Sequence, residues 1–297
     1  MERIQLTESL SFSRLIYGMW RLGDDADTSP AHVTAKIKAC LDQGLTTFDQ
    51  ADIYGDYGSE VLLGAALKAD PGLRDQMEII TKCDICLISP ARPEHRVKHY
   101  DTSAAHITAS VDRSLQNMAI DQIDCLLLHR PDPLMDAAET GAALDAVVAS
   151  GKVRTIGVSN FRPWDWRQLQ DQMKTRLVTN QIEINPLALD CFTNGDLAEM
   201  QRDGLRPQAW SPLAGGQLFA NTSSAVGARL AEIAAREGLA LDTLLIAWLL
   251  RHPAGILPVM GTNNLDRIAS FSDALEASMD RQTWFEIYEA GLGSEVP

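Results

Sequence analysis

Asp49, Tyr54, Lys82 and His129 each close or follow an apolar run short enough to be a buried strand, the runs being residues 45–48, 77–81 and 123–128. Where such strands run parallel in a barrel, their C-terminal ends meet at one mouth. A carboxylate, a phenol, an ammonium and an imidazole gathered there make a proton donor whose pKa its neighbours set. A free phenol, with a pKa of about 10, is a poor acid at neutral pH. Donation becomes efficient where a cation stabilises the phenolate left behind, and Lys82 can supply that cation. Asp49 would pair with Lys82, orienting it and keeping it charged in a partly buried place. His129 stands where its strand leaves the barrel, suited to hydrogen-bonding a carbonyl oxygen. Singly, each has a bland reading as a barrel-end salt bridge, a surface aromatic or a structural histidine. As a set they point to chemistry.

The neighbouring runs end in further polar residues. Ser159 and Asn160 close one and Gln181 the next, offering a hydroxyl and two amides that could hold a carboxamide ligand. Trp210 closes the following one and presents a flat apolar face suited to stacking on an aromatic ring. Capping of strand ends is the competing reading for each.

These positions require alternating strands and helices. Candidate strands fall at 15–18, 46–49, 78–82, 123–128, 153–158, 178–182, 206–209 and 256–258, with amphipathic helical patterns at 31–43, 60–69, 108–118, 137–150 and 225–237. Eight strand-then-helix units predict an α/β fold, a (β/α)8 TIM barrel. Residues 3–6 and 10–12 predict a short N-terminal β-hairpin, and 279–290 an extra C-terminal helix carrying Trp284 and Tyr288. An open doubly wound sheet would need a Gly-rich turn after its first strand, and 18–23 lacks the G-x-G-x-x-G spacing. The connections 83–102 and 213–223 are too long for simple turns and lie on the active-mouth side, where long loops carry function.

The 297 residues, 45% hydrophobic, suffice for one large core, so a single domain over 1–297 is expected. Lys plus Arg number 26 against 40 Asp plus Glu, a formal charge of −14 that argues against nucleic acid or anionic membrane as partners. An anionic ligand would need a local cationic site. The first residues show no secretory signal, and apolar stretches such as 244–250 fall far short of the roughly 20 residues that cross a bilayer, so a cytoplasmic protein is expected. Five scattered cysteines suggest no disulfide framework. Cys83 and Cys86 form a C-x-x-C with no second ligand pair of that kind, and read as ordinary thiols at a strand end, with a redox or metal role as the alternative. The other histidines, His32, His95, His99, His106 and His252, show no H-E-x-x-H spacing, so no metal is expected, and His95, His99 and His106 are read as solvated.

The residues taken together resemble the aldo-keto reductases over essentially the whole chain. The resemblance is carried by Phe48-Asp49-Gln50-Ala51-Asp52-Ile53-Tyr54-Gly55 with Ser59-Glu60, by Thr81-Lys82, Leu128-His129-Arg130-Pro131, Gly157-Val158-Ser159-Asn160-Phe161, Asn180-Gln181, Trp210-Ser211-Pro212-Leu213, and Gly261-Thr262-Asn263 leading to Arg267. It is strongest to a bacterial oxidoreductase subgroup with His-Arg-Pro-Asp-Pro, here at 129–133, and a C-terminal Val-Pro. The resemblance implies a barrel that binds NADPH in extended form and reduces an aldehyde or ketone to the alcohol. It implies that Tyr54 donates the proton, that Lys82 and Asp49 lower its pKa, and that His129 orients the carbonyl. Ser159, Asn160 and Gln181 would then hold the nicotinamide carboxamide while Trp210 stacks on the ring, and Gly18, Met19 and Trp20 would line the first-strand side. Ser211, Pro212, Leu213, Ala214, Gly215 and Gly216 would follow the pyrophosphate; Gly261, Thr262, Asn263 and Arg267 would meet the adenosine 2′-phosphate. Arg267 is the reason to expect NADPH over NADH, because a guanidinium binds phosphate through paired charge-assisted bonds. Many members carry lysine where this chain has Gly261.

Two rival readings accompany this one. The chain could be an NADPH-binding subunit or redox sensor of the same fold with little turnover. Alternatively, Lys82 could form a Schiff base in an isomerase or aldolase barrel. The partner expected is a small-molecule carbonyl substrate. Its specificity would come from Trp20, the two long connections and the C-terminal segment, and a monomer is the family-level expectation for the assembly.

Overall fold

The computed structural model describes residues 1–220 and 224–297; the last three residues of the expected 213–223 connection lie outside them. Strands β1 (Arg3–Gln5) and β2 (Ser11–Ser13) form the hairpin, with Ile4 opposite Phe12. The barrel strands follow in chain order: β3 (Ile16–Gly18), β4 (Thr47–Asp49), β5 (Glu78–Cys83), β8 (Ile123–Leu128), β9 (Val153–Ser159), β10 (Leu177–Glu183), β11 (Arg206–Trp210) and β12 (Leu257–Met260). Each pairs in parallel with its neighbours, and β10 on β9 closes the ring. Between β5 and β8 a two-stranded antiparallel ribbon, β6 (Ile85–Cys86) with β7 (His99–Tyr100), occupies most of what the sequence presents as a long loop.

The outer ring consists of α1 (Pro30–Leu41), α3 (Ser59–Ala69), α4 (Ala104–Met118), α5 (Ala137–Ala149), α6 (Pro163–Gln170), α7 (Asp196–Asp203), α9 (Ala225–Glu237) and α10 (Leu241–Leu250). Short pieces α2 (Tyr54–Tyr57), α8 (Gln217–Ala220), α11 (Leu265–Ala269) and α12 (Asp273–Glu276) sit at the mouth side, and α13 (Arg281–Leu292) ends the chain. Helix starts obey local capping chemistry. The Ser29 hydroxyl accepts the His32 amide ahead of Pro30, and the Ser103 hydroxyl accepts that of His106. Ser103 explains why α4 begins four residues before the expected 108, since the cap starts the helix before the apolar face does. Pro258 reads as a strand end in the sequence, yet Val259 and Met260 carry β12 on by pairing with Ile16 and Tyr17.

Two apolar regions hold the fold. The larger lies between strands and helices. The smaller fills the barrel interior with Ile16, Ile80, Cys125, Leu127, Val178, Leu257 and Val259, sealed at its N-terminal end by Leu10 and Phe12 of the hairpin. The hairpin is therefore the floor of the barrel, and the charged and titratable inward residues Asp49, Lys82 and His129 lie toward the opposite end.

The C-terminal helix packs outside the barrel, with no residue of 279–297 in the wall of the central cavity. Trp248 and Trp284 stack at 5.4 Å and exchange hydrogen bonds from each indole N–H to the other's carbonyl, both at 3.1 Å. Trp166 is buried and donates to Asp203, while Trp164 is exposed and also outside the cavity. All five cysteines are buried free thiols. Among the described residues, no helix is long and apolar enough to cross a membrane.

Candidate functional site

The C-terminal end of the barrel opens into a cavity of about 1010 Å3. Alternation along each strand aims Lys82, two residues beyond Ile80, and His129, two beyond Leu127, toward the axis above the apolar plug. Lys82 is fully buried. Its ammonium donates to both oxygens of Asp49 at 2.7 Å, to the Gln50 carbonyl at 2.9 Å and to the Tyr54 hydroxyl at 3.0 Å. Tyr54 begins a left-handed turn in which Gly55, Asp56 and Tyr57 all have positive φ. A Cβ on Gly55 would come within 2.6 Å of the Ser59 hydroxyl, so the turn beside Tyr54 requires glycine there. The His129 ring meets that of Tyr54 edge-on at 6.0 Å. The sequence-predicted tetrad is therefore one cluster, with Asp49, Tyr54 and His129 in the cavity wall and Lys82 behind them.

Its electrostatics correct one expectation. Burial pushes the Tyr54 phenol above its ordinary value; Lys82 pulls it down, but Asp49 pushes it up, and the net shift is upward. Asp49 thus acts on the phenol only by holding the ammonium. Burial also pulls Lys82 down, yet Asp49 and the tyrosine oxygen carry it above its usual range, so the ammonium stays charged. Burial, then the cations Lys82, Arg130 and Lys98, hold His129 well below its ordinary value. At neutral pH the imidazole is uncharged, and its Nδ1 is buried without a partner.

The amide cluster is built, and largely spoken for. Asn160 adopts a positive φ of 62°, a conformation asparagine tolerates. Its amide N–H group donates to the His129 carbonyl at 3.1 Å and to the Ser159 hydroxyl at 2.9 Å, while its oxygen accepts from the Trp210 indole at 3.0 Å. The Ser159 hydroxyl donates to the Gln181 carbonyl at 2.8 Å. Gln181 donates to Asp49 and to Gln208, both at 2.8 Å. The amide protons of Asn160 and Gln181 are all consumed within the protein; what Ser159, Asn160 and Gln181 offer a ligand is acceptor capacity. Gln181 reaches the axis because a register shift between Leu177 and Asn180 inserts a residue into β10, letting Val178 and Gln181 both face inward.

Of the remaining expected residues, Gly18, Trp20, Ser211, Pro212, Leu213, Gly215, Gly216, Gly261, Thr262, Asn263 and Arg267 line the cavity. Two do not. Met19 is buried in the core with Gln50 Nε2 at 3.3 Å from its sulfur, because the strand alternation that turns Gly18 inward turns Met19 away. Ala214 also packs into the core. Ser211, Gly215 and Gly216 all have positive φ, so the segment is an irregular loop with open space beside both glycines. The Arg267 guanidinium is exposed at the cavity lip and has no side-chain partner among the described residues. Asn263, by contrast, accepts from buried Lys36 at 3.0 Å and donates to the Arg21 carbonyl at 2.6 Å.

Sequence reasoning missed the cations Arg21, Lys98 and Arg130 in the wall, which supply local positive charge to an acidic protein. Arg130 was legible beside His129 in the motif; Lys98 is brought in only by the β6–β7 ribbon. Asp84 was missed as well. Its carboxylate accepts the Arg130 amide at 3.2 Å and fixes the chain just after His129. The reading of the loop histidines as solvated fits exposed His99 but not His95 and His106, whose side chains are only 15% and 16% exposed.

A sequence profile described as the Aldo/keto reductase family matches residues 14–291. The chain is 60% identical over 296 residues, covering all of both chains, to a protein of Agrobacterium fabrum named 6-dehydroglucose reductase. It is 39% identical over 297 residues to one of the same name from Novosphingobium aromaticivorans, covering 97% of this chain and 94% of that one. An aldo-keto reductase from Klebsiella pneumoniae, solved in complex with NADPH, superimposes with a TM-score of 0.79 at 25% identity, covering all of this chain and 96% of the other. With its closed barrel and the tetrad at its mouth, the chain belongs to the aldo/keto reductase family.

Proposed function

We propose that this protein reduces an aldehyde or ketone to the alcohol, taking hydride from NADPH and a proton from Tyr54. The observation that carries this reading is the Tyr54 hydroxyl, 3.0 Å from an ammonium locked by Asp49, at the wall of a large cavity. The cavity, about 1010 Å3, is roomy enough for an extended dinucleotide beside a small substrate. Acceptor atoms on Ser159, Asn160 and Gln181 suit the N–H group of a carboxamide, Trp210 offers a ring face, and unpartnered Arg267 suits a phosphate at the far end. NADPH, when bound, supplies the hydride. The remaining work falls to the chain. Neutral His129 can donate a hydrogen bond to the carbonyl oxygen and so place it beside Tyr54. As the carbonyl carbon gains hydride, its oxygen becomes far more basic than a phenolate and takes the Tyr54 proton. The phenolate is stabilised by Lys82 and regains a proton from solvent.

Burial keeps the Tyr54 phenol protonated at neutral pH, and the opposing pull of Lys82 is what lets it give that proton up to the forming alkoxide. The name shared by the two relatives points to a sugar aldehyde as the first substrate to try. Asp49, Lys82 and Tyr54 at hydrogen-bond distance, with the His129 ring against Tyr54, favour turnover over a purely cofactor-binding or sensing role. The test is a titration of tryptophan fluorescence with NADPH and NADH, followed by loss of reduced-nicotinamide absorbance as sugar aldehydes and simple aldehydes are added. Tight NADPH binding with carbonyl-dependent oxidation is expected. Binding without turnover on any carbonyl would turn the assignment toward a subunit or sensor, and trapping of a borohydride adduct on Lys82 would turn it toward Schiff-base chemistry.

A further inference from the structure

The β6–β7 ribbon gathers three metal-ligating side chains that the carbonyl reaction does not use. Cys86, His95 and His99 each bring one ligand atom, the sulfur or a ring nitrogen, within 4.8 Å of the other two. Cys86 and His99 are register partners across the two strands, so the pairing itself sets them side by side. His95 is folded back onto them by the intervening loop, where the Arg92 amide donates to the Ser89 carbonyl at 2.9 Å and the His95 amide to the Arg92 carbonyl at 3.1 Å.

A second observation concerns the rings. Nδ1 of His95 lies 2.8 Å from the Leu87 carbonyl, and Nδ1 of His99 lies 2.9 Å from the Val97 carbonyl. A carbonyl can only accept, so each Nδ1 carries its proton and each neutral ring keeps the lone pair on Nε2. Donation of the far N–H to a backbone carbonyl is how a protein fixes the tautomer and angle of a metal-binding histidine. The two rings meet edge-on at 5.2 Å. Glu94 places a carboxylate oxygen 3.7 Å from His95 Nε2, within reach of a fourth position.

We propose that Cys86, His95 and His99 bind a divalent transition metal of the zinc class, with Glu94 or water completing a tetrahedron. One thiolate and two imidazoles suit zinc and its neighbours and disfavour magnesium or calcium, which take oxygen ligands. As the metal–sulfur bond forms, the Cys86 thiol releases its proton to solvent. The metal would staple the loop 87–98. That loop is docked on the segment carrying Tyr54: the Leu87 amide donates to the Tyr57 hydroxyl at 2.8 Å, and the Arg92 guanidinium lies 4.5 Å from the Tyr57 ring centre. The ribbon also carries Ile85, Lys98 and Tyr100 into the cavity wall, so the site fixes a wall of the substrate cavity and is independent of the reductase chemistry.

The test uses the full chain, stripped with a chelator, exchanged into chelator-free reducing buffer and titrated with Co2+. One equivalent is expected to bind, giving the visible bands of tetrahedral cobalt and a near-ultraviolet thiolate charge-transfer band, both lost when Zn2+ displaces the cobalt. C86A should lose the charge-transfer band. H99A, at an exposed side chain that does not endanger folding, should weaken Zn2+ by more than the roughly 10- to 100-fold that loss of an outer partner costs. Zn2+ should also slow proteolysis within 87–98 in the parent and not in C86A. Cobalt bound without a thiolate band, or equal Zn2+ affinity in the parent, C86A and H99A, would overturn the proposal.

Discussion

Lys82→Met is the sharpest perturbation of the site. The change keeps most of the side-chain volume and removes the ammonium, so Asp49, only 2% exposed, keeps the Gln181 amide at 2.8 Å but loses two charge-assisted bonds at 2.7 Å. Breaking a buried pair on one side leaves an uncompensated charge and costs about 3–5 kcal/mol. In a chain of this length that is a fall in melting temperature of roughly 5–8 °C. Turnover should fall by about 100- to 10,000-fold, because the phenolate left by proton transfer has lost its cation. The double variant Asp49→Asn with Lys82→Met separates the two effects. With both charges gone most of the stability should return, while turnover stays at the level of the single variant. Thermal unfolding and steady-state rates with NADPH and an accepted aldehyde provide the readouts. If Lys82→Met melts with the parent, or the double variant is no more stable than the single one, the pair does not hold the site as described. If Lys82→Met turns over normally, the ammonium is not part of the reaction.

Other expectations follow from neighbouring residues. Tyr54→Phe should bind NADPH as the parent does yet lose about 100- to 10,000-fold in turnover, since it removes the donor hydroxyl and little surface; an equally active variant would exclude Tyr54 as donor. Arg267→Ala should weaken NADPH roughly 10- to 100-fold while changing NADH little, as expected when a single charged hydrogen bond to phosphate is removed; parallel losses in fluorescence titrations would place Arg267 elsewhere. Asp52 is buried with one oxygen unpartnered, and burial, then Glu60, raises its carboxyl well above the ordinary range. Below the unfolded pKa of about 3.9 both states hold the proton and the group costs nothing. As pH rises through that value the unfolded chain releases its proton first, so stability falls with pH. Asp52→Asn should therefore match the parent in acid and exceed it at neutral pH, and chemical-denaturation curves whose gap does not widen with pH would count against this.

Parts of this protein are fixed by local chemistry and could be read along the chain. Barrel strands such as Ile123–Leu128 are short, largely apolar runs because parallel strands are covered on both faces, and that pattern survives without any knowledge of partners. Asp49, Lys82 and His129 are legible as a set: each alone has a structural reading, but the ends of parallel barrel strands converge on one mouth. Tyr54 followed from its position in the turn after Asp49. Other features depend on which elements come together in space. The inserted residue in β10 turns Gln181 to the axis, and no local pattern marks it. Gln208 enters the network only because β11 lies beside β10, and Met19 leaves the site because alternation turns it outward. The residues 83–102 looked like a loop, since strands of two residues carry no periodicity; their pairing is what brings Lys98 to the cavity and sets Cys86 opposite His99. The direction of the Tyr54 shift likewise belongs to the assembled fold. Position along the chain groups a carboxylate and an ammonium with a phenol, but only burial, set by the surrounding barrel, decides that desolvation outweighs the cation.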